Sequence, residues 1–146
     1  MKLTPNTQSG ALVQVVVHSI GTLHPDALDL IGAHDGLFFN VGDGRFRNPH
    51  ADPRLRELTG LDELVRDHVL QTPGVMPEVE RIAESAKAVL FSYANRRRKL
   101  VHVVVACRGG RHRSVAISES VADYLRIDEV GVEVEHHHVD HPVVQK

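Results

Sequence analysis

The chain has 146 residues, 42% of them hydrophobic and 25% charged, with a formal net charge of −2. That is the composition of a soluble globular domain able to bury a core, and it carries no global basic field of the kind that advertises nucleic acid. A single cysteine, Cys107, excludes an internal disulfide framework. No segment approaches the roughly 20 apolar residues of a membrane span. The opening M-K-L-T-P-N-T-Q-S-G lacks the apolar core of a signal peptide. The expectation is a cytoplasmic protein without a membrane partner, residues 1–10 forming a loose polar N-terminus and residues 11–146 one domain.

Taken in chain order, Ala11–Ile20 reads as a buried strand ending at Gly21. Pro25–Ile31 is a short helix, with Pro25 suited to its first turn. Gly36–Val41 contains L-F-F-N-V, a second strand, and Gly42–Pro53 is a polar loop. Thr59 and Asp62 resemble a capping box ahead of a helix with Leu61, Leu64, Val65 and Val69 at helical spacing. Beyond Pro73 and Gly74, Pro77 opens another helix, with Val79, Ile82, Ala86, Val89 and Tyr93 inward and Arg96, Arg97, Arg98 and Lys99 at its close. Leu100–Ala106, whose only polar member is His102, is almost continuously apolar, as a central parallel strand requires. A last helix starts at Ser114 with Ile117, Val121 and Leu125 on one face. Val132–Val139 alternates and belongs nearer a sheet edge. Helices between strands imply an α/β fold, a mostly parallel sheet with flanking helices, whose ligands bind beyond the carboxyl ends of the strands.

The segment C-R-G-G-R-H-R-S, Cys107 to Ser114, carries the most chemistry. Strand, glycine-rich turn and helix start create an anion site, because the first helical N–H groups lack partners and the helix dipole adds positive charge. Gly109 and Gly110 let the backbone approach a ligand. Arg108, Arg111 and Arg113 add forks that fit phosphate or carboxylate. A bare strand-to-helix turn with solvated arginines is the plainer reading of the same residues. A second constellation, Arg45, Asn48 and His50, lies in the Gly42–Pro53 loop and could reach the first across the strand ends. Its composition alone describes a solvated loop. His136, His137, His138 and His141 read as a polar edge strand, since no spacing completes a metal pattern; neither a metal nor a cofactor is expected.

N-P-H at 48–50, L-T-G-L-D-E-L-V-R-D-H-V at 58–69 and C-R-G-G-R-H-R-S-V at 107–115 occur in this order. Together they resemble the C-terminal domain of the RapZ family of RNase adapter proteins, over roughly residues 11–140. Arg108 stands where the family motif usually has threonine, and Arg45 lies one residue nearer Asn48 than the family arginine. The resemblance implies a fold similar to a phosphofructokinase subdomain and a sensor site for an amino-sugar phosphate, glucosamine-6-phosphate. It implies Asn48, His50, Cys107, Gly109, Gly110, His112, Arg113 and Ser114 as site residues. It also implies self-association and contact with regulatory RNA. The basic C-terminal face that family members use for RNA is replaced here by E-V-E-H-H-H-V-D-H, leaving Arg96, Arg97, Arg98 and Lys99 as the candidate RNA contacts. The family's Walker-type phosphate motif G-x-x-x-x-G-K-[ST] does not occur in these 146 residues, so nucleotide hydrolysis is not among the expectations.

A rival reading uses the same loop. Cys107, Arg113 and Ser114 form C-x5-R-S, similar to the active-site loop of cysteine-dependent phosphatases, and the arginines and helix start would favour a thiolate. Ala106 stands where those enzymes usually carry histidine, and no general acid is evident, Asp43 being the nearest proposal. The reading taken forward is a domain that binds a small phosphorylated metabolite without turnover, with phosphatase chemistry as the alternative.

Overall fold

A computed structural model of the chain describes residues 12–34, 36–95 and 99–143. The expected loose N-terminus and Arg96, Arg97 and Arg98 lie outside the described residues. Four strands, β1 (Val15–Gly21), β2 (Leu37–Asn40), β3 (Val101–Cys107) and β4 (Val132–His136), form one sheet in the order β2-β3-β1-β4. Every pairing is parallel, giving an α/β fold. The helices are α1 (Ala27–Ala33), α2 (Glu63–Leu70), α3 (Val75–Phe91) and α4 (Arg113–Ile127), with a 3-10 turn at Pro49–Ala51. No helix among the described residues is long and apolar enough to cross a membrane.

The nearly unbroken apolar runs of β1 and β3 are explained by burial on both faces. All of β1 is buried, and only His102 in β3 is not. Successive side chains alternate between faces. Val15, Val17, Val103, Val105 and Cys107 point into the main core, where Val65 and Val69 of α2, Ile82 and Leu90 of α3 and Ile117 and Leu125 of α4 meet them. The opposite face is covered more thinly: Ile20, Val104 and Ala106 pack under Leu30 and Ile31 of α1. β4 occupies an edge, as its alternation predicts.

Several local expectations are corrected. Leu61 and Leu64 are exposed; α2 starts only at Glu63 and buries Val65 and Val69 in the core, with Leu70 packed against it. The Thr59–Asp62 box closes one turn before α2: the Asp62 carboxylate accepts the Thr59 N–H at 2.7 Å, and Thr59 Oγ1 accepts the Leu61 N–H at 3.2 Å. Tyr93 lies past the end of α3 and is exposed, with the Lys99 ammonium 5.1 Å from its ring centroid. Pro77 sits one turn inside α3, which starts at Val75 after Gly74 in a left-handed conformation, φ +89°. The missing proline N–H costs nothing there, because first-turn amides have no intrahelical acceptor.

Ile82 is fully buried between α3 and the sheet. Ile82→Ala is expected to destabilise the protein by about 2–5 kcal/mol, from lost transfer energy and the cavity left behind. Urea unfolding should show a lower midpoint with an unchanged slope; a loss below about 1 kcal/mol would mean that the core collapses around the gap.

Candidate functional site

The loop between Cys107 and Arg113 is gripped from several sides. Gly110 has φ +75°, and a Cβ there would lie 2.6 Å from the Gly21 nitrogen and 2.8 Å from the His138 Cβ. A Cβ at Gly21 would in turn meet the Gly109 carbonyl carbon at 2.4 Å. Both glycines serve close backbone packing. Gly109 differs: a Cβ there meets nothing within 4 Å, so this is the glycine that faces open space. The loop's carbonyls are bound to the scaffold. Thr22 N–H donates to Cys107 O at 2.8 Å, Leu23 N–H to Arg108 O at 3.0 Å, and Gly60 N–H to Arg111 O at 2.6 Å. His24 Nε2–H donates to Gly109 O at 2.8 Å. The amides face the other way. The first helical bond of α4 is Ala116 N–H to His112 O, 3.0 Å, so the N–H groups of Arg113, Ser114 and Val115 have no intrahelical acceptor.

The side chains around the loop differ in burial and partners. Arg113 is only 3% exposed. Its Nη1 donates to Phe46 O at 3.4 Å, while its Nε is buried without a partner. No carboxylate among the described residues pairs with it, and burial pulls its guanidinium below the usual arginine range. Asp43 acts on it through space without an ion pair, and burial remains the larger effect. Cys107 is buried, its thiol donating to Ser114 Oγ at 3.1 Å and accepting the Gly110 N–H at 3.3 Å. Arg108 is exposed at the mouth. Leu23, Asn48, His50, Cys107, Arg108, Gly109, Arg111, His112 and Arg113 line one cleft. Asn48 Oδ1 accepts the His50 N–H at 3.1 Å, which leaves the Asn48 NH2 group for a ligand. The two loops singled out from the sequence therefore meet across the strand ends.

A family model described as the RapZ C-terminal domain matches residues 13–140, which include this entire constellation. The chain belongs to that family. It is 37% identical over 133 residues to a protein of Leifsonia xyli, covering 88% of this chain and 42% of the relative. It is 41% identical over 128 residues to one of Rubrobacter xylanophilus, covering 87% and 39%, and 42% identical over 97 residues to one of Streptomyces coelicolor, covering 66% and 32%. All three relatives are named nucleotide-binding proteins. The chain spans about two fifths or less of their length.

Within this RapZ C-terminal family site, some of the expected residues serve the scaffold. Arg45 is turned away from the cleft: its Nε bonds Asp43 at 3.0 Å, and its Nη2 reaches Asn40 O at 2.9 Å and Glu78 at 3.4 Å, tying the polar loop to α3. Arg111 borders the cleft, but its guanidinium bonds the carbonyls of Val139, His141, Glu57 and Leu58, pinning the chain after β4 to the loop before α2. His112 is buried and donates from Nε2 to Arg56 O at 3.0 Å. Of the four-residue basic run, only Lys99 is described; it precedes β3, at the opposite end of that strand from the anion loop.

The C-terminal histidines are not a solvated edge. His136 accepts from Ser19 Oγ at 2.6 Å and donates to Glu119 at 2.6 Å. These are the groups of a hydrolytic triad, but Ser19 is fully buried, so they bracket β1, β4 and α4 and do no chemistry on a substrate. His138 is fully buried, accepts the Gly21 N–H at 2.8 Å and donates to Asp26 at 2.8 Å. Sequence reasoning passed over His18 and His102; their one visible signal was a lone polar residue within an apolar strand run.

Burial holds His112 below its ordinary value of 6.5. A histidine depressed in the folded state contributes stability that is complete above the unfolded value and is lost as pH falls below it. The wild type should therefore lose urea resistance from pH 7 to pH 5 more steeply than His112→Gln. Parallel pH profiles for the two proteins would contradict this placement of the ring.

Proposed function

We propose that this domain binds the phosphate group of a small phosphorylated metabolite at residues 107–114, without turning it over. The observation that carries the reading is Arg113: a buried guanidinium with an open donor and no carboxylate, set at the unsatisfied N-terminus of α4. A phosphate supplies the missing counter-charge and accepts from fork and amides together. Arg108 closes over it from the mouth. Asn48 and His50 stand where the remainder of the ligand would lie and can bond hydroxyls. Glucosamine-6-phosphate is the ligand that the family resemblance implies. The relatives' name points to nucleotides, but those proteins are more than twice as long as this chain, and its 146 residues contain no G-x-x-x-x-G-K-[ST]. Phosphate recognition is the chemistry both readings share. Nothing among the described residues favours an RNA-adapter role, since Lys99 sits far along β3 from the cradle.

Cys107 shapes the loop in this reading. Its thiol is engaged by Ser114 and the Gly110 amide, and the cleft it borders contains no aspartate or glutamate to serve as general acid. Asp43 lines a neighbouring opening and is paired with Arg45. The protein should show no steady hydrolysis of an aryl phosphate that Cys107→Ser abolishes; such a rate would replace binding by phosphatase chemistry.

The binding itself is tested with Arg113→Met in two measurements. Calorimetric affinity for glucosamine-6-phosphate should fall at least about tenfold, since charge-assisted hydrogen bonds contribute ~1.5–3 kcal/mol. The ligand-free variant should melt at or above the wild-type temperature, because an unpaired buried charge has been replaced by an apolar chain of similar volume. Equal affinity in the two proteins would sink the assignment.

A further inference from the structure

The thinly covered sheet face holds a second cluster, separate from the anion cradle. β1 and β4 run in parallel with His18 opposite Glu135. His137 is two residues beyond Glu135 and so stands over the same face; its N–H still bonds Ser19 O at 3.0 Å, continuing the β1–β4 ladder. His18 is fully buried. Its Nδ1 is 3.0 Å from His137 Nε2, and its Nε2 is 2.9 Å from His102 Nδ1. His34, just after α1, stacks on the His18 ring with centroids 3.8 Å apart. A Glu135 carboxylate oxygen and a ring nitrogen from each of His18 and His137 lie within 4.8 Å of one another. Glu135 Oε2 is buried with no hydrogen-bond donor. An unsatisfied carboxylate oxygen beside imidazoles that have lone pairs to offer is a group in want of a cation.

We propose that His18 Nδ1, His137 Nε2 and the Glu135 carboxylate bind a divalent transition-metal ion of the zinc type. Imidazole with carboxylate is a donor set for such ions, and three protein ligands leave a position for water. Two imidazole nitrogens each ~2.0–2.1 Å from a tetrahedral zinc are about 3.3 Å apart, so the His18–His137 separation needs only a small opening. The outer hydrogen bond is in place. His18 Nε2 lies 2.9 Å from His102 Nδ1; with its proton on Nε2, His18 donates to His102, the kind of contact that fixes the tautomer of a metal-bound histidine, and Nδ1 keeps its lone pair. His137 must carry its proton on Nδ1 to ligate through Nε2. His18, His34 and His102 form a rival trio. It brings no negative charge to offset a dication, and through His18 Nε2 it would break the bond to His102. The Glu135 side is therefore the site.

The test uses tag-free protein stripped with EDTA and titrated with Co2+, followed by visible absorption, then with Zn2+ in competition. The expected result is a single equivalent per chain. Glu135→Gln and His137→Ala should each weaken binding at least about tenfold while the far-ultraviolet spectrum and the glucosamine-6-phosphate response stay as in wild type. Absence of saturable binding by the wild type, or binding that both variants retain, would overturn the proposal. So would loss of binding in His34→Ala with Glu135→Gln unaffected, since that places the ion on the opposite edge of the His18 ring.

Discussion

Gly21 and Cys107 are register partners at the carboxyl ends of β1 and β3, and the site depends on how closely the chain runs there. With no Cβ at Gly21, the 109–110 peptide lies directly against the end of β1. That proximity lets Thr22, Leu23 and His24 take up the loop's carbonyls. A peptide whose C=O is bound on one side presents its N–H on the other. The orientation of the loop amides thus follows from strand pairing and needs no ligand to impose it, the kind of preorganisation that reduces the ordering cost of binding.

The cradle's charge obeys the same logic. Three arginines lie within the loop, and burial and partners give each a different task. Arg111 is held by carbonyls through both Nη groups, its Nε buried without a partner, and acts as a strap. Arg108 is exposed, so its field is screened by solvent. Arg113 is enclosed, where charge interactions are least screened and an absent counter-ion matters most. In the proposed reading Arg113 is the residue that would hold phosphate most strongly.

The strand–loop–helix unit at 101–127 was legible from sequence because its signals are local: an apolar run, two glycines and a helical apolar period. The parallel sheet followed from β1 and β3 being apolar on both faces. What could not be read depends on partners distant in the chain. Arg45 looks like any loop arginine until α3 places Glu78 beside it. Arg111 needed the carbonyl of Glu57, 54 residues away. Leu61 and Leu64 have helical spacing, but only the docking of α2 decides which part of that stripe turns to the core. His18 and His137 are 119 residues apart and meet only through the β1–β4 register; within the local sequence, the C-terminal histidines are indistinguishable from a polar edge.

That register also links the two faces of the site. The stretch after β4 passes from His137, over His18, directly to His138, which accepts the Gly21 N–H, donates to Asp26 and stacks on His24 at 4.0 Å between centroids. His24 in turn holds the Gly109 carbonyl. Residues 136–138 therefore serve three neighbours in succession: α4 through Glu119, the His18 cluster, and the end of β1 against which the 109–110 peptide lies. Each contact belongs to a different side chain, and the position of all three is set by the pairing of β1 with β4.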